Sequence, residues 1–143
     1  MTTYTMETEV LSDHIFRADA DGRQVTMDAG SGENKGQTPL ELVLSALSGC
    51  AVVDVLEILQ KRRKTVGSLK VAVEAERRDE PFPRIFTRIV LTFKLVSPDA
   101  TDQELEKAIN LSLEKYCSVR GMIGPDVQII ARGEITRSAP ELV

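Results

Sequence analysis

Histidine and cysteine are nearly absent from this 143-residue chain: His14, Cys50 and Cys117 are all there is. Three such side chains are too few for a four-ligand structural zinc site without carboxylate help, so no metal centre is expected. Basic clusters are scarce too. Lys61-Arg62-Arg63-Lys64 is the one block, and 22 acidic against 18 basic residues give a net charge of -4, which argues against a nucleic-acid partner. No run of eighteen apolar residues occurs, and Ser45, Ser48, Gly49, Asp54 and Glu57 interrupt the most apolar stretch, so a membrane span is not expected. The opening MTTYTMETEV has neither the positive start nor the apolar run of a signal peptide, and a cytoplasmic location is expected. Thiols there are kept reduced, which favours a redox, metal or buried role for the two cysteines over a structural disulfide.

What the chain does have is the composition of a soluble globular protein, 42% hydrophobic and 28% charged, in a length suited to one domain over residues 1–143. No internal repeat or low-complexity segment interrupts it. Residues 3–29 read as strands, with Asp21-Gly22 as a tight hairpin turn and Arg23 opening the alternating strand Arg23 to Asp28. Ala29 to Gln37 (AGSGENKGQ) is a loop. Thr38 is a plausible N-cap and Pro39 a first-turn proline, and a long helix runs from there to Lys64. Its apolar residues between Leu42 and Leu59 fall on every side, so it should be buried all round as a central helix.

Ser68 to Arg78 and Ile85 to Val96 then form an antiparallel hairpin of long alternating strands. Thr101-Asp102-Gln103-Glu104 is a capping box opening an amphipathic helix, with Leu105, Ala108, Ile109, Ser112 and Tyr116 on one face, that ends around Gly121 to Pro125. Asp126 to Ile135 is a last strand, and Arg137 to Val143 reads as a frayed tail. The order β-β-β-α-β-β-α-β is α+β, with antiparallel sheets.

Each cysteine is by default a small buried hydrophobe. Cys50, about three turns into its helix, is too far from the N-terminus to borrow much from the macrodipole, so a thiolate there needs a cationic or hydrogen-bonding neighbour. Gly49 beside it costs about 1 kcal/mol against alanine in a helix and implies the close approach of a facing helix or a ligand. Cys117, at the end of the second helix, could meet Cys50 if the helices pack. Glu41 lies about 180° from Cys50 around a straight helix and is by default a first-turn glutamate at the helix N-terminus. Arg23 is by default a solvated surface arginine, His14 a structural histidine, and Lys61 to Lys64 a favourable helix C-terminus.

The Gly/Ser loop leading into Thr38-Pro39-Leu40-Glu41-Leu42, then Ser48-Gly49-Cys50, then Glu114-Lys115-Tyr116-Cys117-Ser118-Val119 together resemble the OsmC/Ohr family of thiol-dependent peroxidases over nearly the whole chain. Glu76-Arg77-Arg78 and the Phe86-Thr87 strand are similar to its YhfA-like subgroup. The resemblance implies an OsmC-like fold in an intertwined homodimer, with sheets wrapped around two long central helices and sites at the subunit interface. It implies that Cys50 is the peroxidatic cysteine, that Cys117 resolves its sulfenic acid into a disulfide, and that Arg23 holds the thiolate. An organic hydroperoxide would be the substrate, with an external dithiol as reductant and no cofactor. In well-known members a glutamate directly after the proline pairs with the arginine. Leu40 stands at that place here, leaving Glu41, Glu114 and Glu33 as candidate supporting carboxylates. The rival expectation is a non-catalytic OsmC-fold protein that binds an apolar small molecule, with redox-sensing or vestigial cysteines.

Overall fold

Two tight turns shape the start of the chain. In the computed structural model, which describes residues 1–137, β1 (Glu7–Ser12), β2 (Ile15–Ala20) and β3 (Arg23–Asp28) form a three-stranded antiparallel sheet in that order. Asp21 and Gly22 both have positive φ, 53° and 84°, as a two-residue hairpin whose twist matches its strands requires. The Asp19 carboxylate accepts from the Gly22 N–H at 2.9 Å. The β1–β2 turn uses His14 at φ 62°. His14 pairs there with Asp13 at 2.7 Å. Every residue of β1 is exposed, and the sheet buries only Ile15, Ala18 and Asp28.

The chain divides into two compact units, Met1–Ser45 and a second that begins at Ala46. Asp28 organises the last loop of the first. Its carboxylate accepts from the backbone N–H groups of Gly30, Ser31 and Lys35 and from the Ser31 hydroxyl, and these donors hold its pKa far below the usual aspartate value.

Helix α1 (Pro39–Lys61) starts on a reciprocal capping box. The Thr38 hydroxyl accepts from the Glu41 N–H at 3.1 Å, and the Glu41 carboxylate from the Thr38 N–H at 2.9 Å. It stops at Lys61, short of the expected Lys64, because Arg63 turns left-handed (φ 59°) and the Lys64 N–H closes on the Leu59 carbonyl. Within a single chain its cover is partial. Leu47, Ala51, Val55 and Leu59, a row at four-residue spacing, are fully buried, while Val43 and Val53 are 42% and 51% exposed. This chain fully covers one stripe of the helix, half-covers Leu42, Leu44, Val52, Leu56 and Ile58, and leaves Val43 and Val53 open.

The second unit holds a mixed sheet. β4 (Ser68–Arg77) pairs antiparallel with β5 (Phe86–Val96), in the alternating pattern expected of it. β5 is central: Ile89, Val90, Leu91, Phe93 and Leu95 are buried. β6 (Gln128–Thr136) runs parallel to β5 on its other side, so the expectation of purely antiparallel sheets fails here. The reason is the crossover. α2 (Asp102–Leu111) carries the chain back across the sheet, which lets the next strand enter in the same direction as β5. The Thr101–Glu104 capping box opens α2 as expected. Its Leu105 and Ile109 lie so close over Gly133 of β6 that a Cβ there would overlap them; the glycine is what lets helix and strand approach. The expected tail lies largely outside the described residues, and its first residue, Arg137, donates to the Ser97 carbonyl at 3.1 Å.

Candidate active site

The second helix does not run on to Gly121 as one α-helix. After Leu111 the chain forms a single π turn, Ser112–Tyr116, breaks at Cys117 (φ -72°, ψ 102°), and resumes as the short α3 (Ser118–Met122). A π turn holds one residue more than an α turn and shifts by about 100° every side chain that follows. That shift explains why Tyr116, expected on the buried face, is 51% exposed, whereas Cys117 is 5% exposed. The Cys117 N–H closes the turn on the Ser112 carbonyl at 2.7 Å, and the Cys117 sulfur caps α3 by accepting from the Arg120 N–H at 3.4 Å.

Cys117 meets Cys50. The two free thiols, one half-buried on α1 and one buried, lie close enough for Cys50 to act on the ionisation of Cys117. Burial, reinforced by the neighbouring Cys50 and Asp54, pushes the Cys117 thiol up to about 11, against the pull of the Arg120 N–H. Cys117 therefore keeps its proton well past neutral pH.

Two polar residues that sequence reasoning missed complete the cluster. Asp54, half-buried on α1, accepts from the Ser112 hydroxyl at 2.8 Å. Ser112 is fully buried, and its hydroxyl also lies 3.4 Å from the Ala51 carbonyl. A signal for Asp54 was present: it follows Cys50 by four residues, one turn along the same face, and is one of two charges in the apolar stretch. Ser112 carried none, because its role depends on the π turn. Asp54 also lines a cleft of about 290 Å³ with Ile58, Lys61, Arg62, Leu111 and Tyr116.

Of the other predicted residues, Arg23, Glu33 and Glu41 belong to the first unit. Arg23 is exposed at the start of β3, with Nε donating to the Ala20 carbonyl at 3.0 Å. Glu33 is exposed in the loop, and Glu41 closes the capping box of α1. Glu114 is exposed on the π turn. Within this chain a Cβ at Gly49 would meet open space. Among the described residues, no group of three or more His, Cys, Asp or Glu side chains is placed to hold a metal ion.

The family model described as OsmC-like protein matches residues 32–131, a span that contains both cysteines. The chain belongs to the OsmC-like family. Within it the chain is similar to Protein YhfA of Escherichia coli strain K12, 43% identical over 116 residues that cover 81% of this chain and 85% of that protein. The OsmC-like fold is likewise that of a hypothetical protein from Aquifex aeolicus VF5, whose crystal structure superposes with a TM-score of 0.87 at 30% identity, covering 97% of this chain and all of the other. At 12% identity the likeness to an organic hydroperoxide resistance protein OsmC from Legionella pneumophila is one of fold alone: TM-score 0.67, 94% of this chain and 98% of that one.

Proposed function

We propose that this OsmC-like protein is a cysteine-based peroxidase that reduces organic hydroperoxides in defence against oxidative stress. The observation that carries the reading is the nearness of Cys50 and Cys117, brought from separate helices with a π turn ahead of Cys117. The Cys50 thiolate attacks the O–O bond; the bond breaks, the departing alkoxide takes a proton and leaves as an alcohol, and Cys50 becomes a sulfenic acid. Oxidation removes the negative charge that Cys50 set against Cys117, so the second thiol gives up its proton more easily. Its sulfur then attacks Cys50, the disulfide forms, and the sulfenic oxygen leaves as water. An external dithiol reopens the disulfide by exchange. Family membership and the fold shared with a protein described as an organic hydroperoxide resistance protein support the same reading.

Arg23 is the proposed cation for the thiolate, since the mid-helix position gives Cys50 little help from the macrodipole. The working form is proposed to be a cytoplasmic homodimer, because the apolar surface of α1 left open at Val43 and Val53 suits a second copy. A second reading, a non-catalytic binder of an apolar small molecule, draws on Leu40 where well-known members carry glutamate, and on Asp54 as the carboxylate beside the thiols.

Intact mass before and after one equivalent of cumene hydroperoxide decides between them. The peroxidase loses two hydrogens quickly, Cys50→Ser loses none, Cys117→Ser adds oxygen and then over-oxidises, and Arg23→Ala slows the first step. Two thiols that survive excess peroxide would end the peroxidase reading and favour the binder.

A further inference from the structure

Asp54 is in an odd place for a site concerned only with thiolate reactivity. A carboxylate beside the Cys117 sulfur opposes negative charge there, so its presence calls for another cause. Geometry supplies one. Ser112 has a single hydroxyl proton and two oxygens near it, Asp54 Oδ2 at 2.8 Å and the Ala51 carbonyl at 3.4 Å; the shorter contact, to a charged acceptor, is the one that holds it. The same residue accepts the Cys117 N–H at 2.7 Å through its carbonyl. Ser112 is thus gripped at both ends. Its side chain is tied to α1 one turn beyond Cys50, and its backbone is tied to Cys117.

We propose that Asp54 is a positioning residue for the Cys50–Cys117 disulfide: through the buried Ser112 hydroxyl it anchors the π turn and so keeps the Cys117 sulfur within reach of Cys50. A π turn is less favourable than the α-helical turn it replaces and persists where surrounding contacts hold it. Released from Asp54, the segment can relax toward α-helical register, which turns the residues after Ser112 by about 100° and carries Cys117 off the line to Cys50. The inference rests on the proposed cycle only in requiring that the two thiols form a disulfide; it does not depend on which oxidant does so.

The test therefore leaves peroxide out. The protein is equilibrated with mixtures of dithiothreitol and its cyclic disulfide: the two protein thiols lose two hydrogens and two electrons, the cyclic disulfide gains them, and intact mass after acid quench gives the equilibrium constant. Asp54→Ala and Ser112→Ala should each shift that constant toward the dithiol by about tenfold, the effect of losing one hydrogen bond to a charged group. Asp54→Asn, which keeps an oxygen acceptor but not the charge, should return to within about threefold of the wild type. Circular dichroism of each variant confirms that it is folded, and Asp54→Asn with Ser112→Ala suffices if Asp54→Ala is not. Constants for the folded Asp54→Ala and Ser112→Ala proteins within about twofold of wild type would overturn the proposal. So would an Asp54→Asn constant as low as that of Asp54→Ala, which would make charge the cause, or a wild type that forms no disulfide in any mixture. A wild type that forms the disulfide here but ignores peroxide would defeat the peroxidase reading and leave Asp54 in its role.

Discussion

The two sheets have three strands each and differ in what they can bury by themselves. The first is built from hairpin turns and little else: β1 is exposed along its length, and Val10, Leu11 and Val25 remain 71%, 44% and 45% exposed. The second has a central strand with five buried apolar residues and a helix seated on β6 through Gly133. The difference teaches that strand pairing and stability are separate matters here. Local turn chemistry suffices to set the register of β1 to β3, but the free energy of burial is concentrated in β5 and α2.

The sharpest way to break that contrast is a pair of truncations read by denaturant unfolding. Phe93→Ala, at a fully buried position of β5, should cost about 3–5 kcal/mol, and Val25→Ala on the first sheet under about 0.5 kcal/mol. A larger Val25→Ala loss that shrinks with protein dilution would show that a second copy covers that sheet. Next in size is Gly133→Ala, whose methyl group would force Leu105 and Ile109 apart; it should cost about 1–3 kcal/mol. Gly49→Ala should do the opposite and raise the unfolding free energy by up to about 1 kcal/mol, since the site is open within this chain and alanine is the better helix former. A loss at Gly49 would mean that another molecule comes against that face.

The smallest effects are local and depend on pH. Asp28 has a folded pKa below the ordinary 3.8, so the unfolded chain binds its proton first as pH falls. Its contribution is full above about pH 4 and is lost progressively below it. Hydrogen exchange in residues 30–35 should quicken in that range before β5 loosens. Cys117 has the reverse sign. Its folded value of about 11 stands above the ordinary 9.0, so its share of stability is present below about pH 9 and lost as pH rises through about 11. The unfolding midpoint of Cys117→Ala should fall less than that of the wild type between about pH 9 and 11.

Much of this was legible in the residues because it is local. Asp21-Gly22 specified a hairpin, Thr101 and Glu104 a capping box, and the alternation from Leu69 to Ala75 a strand with one covered face. The resemblance carried by Ser48-Gly49-Cys50 and Tyr116-Cys117 pointed to the family that the comparisons then showed. The π turn was not legible, since Leu105 to Tyr116 has the periodicity of an uninterrupted helix and nothing marks where a residue is inserted. With it went the outward turn of Tyr116 and the link from Asp54 through Ser112 to Cys117.

The sequence by itself determined which segments are strands and helices, where they are capped, and that two cysteines stand in the contexts of a thiol-dependent family. Tertiary structure alone decided that β6 lies parallel to β5, that one stripe of α1 is fully covered while Val43 and Val53 are left open, and that Cys117 turns inward to Cys50. The physical reason is one of range. Turn, cap and periodicity signals act within about one helical turn or one hairpin, whereas the nearness of residues 50 and 117 depends on packing between segments far apart in the chain and on a backbone irregularity that no local signal marks.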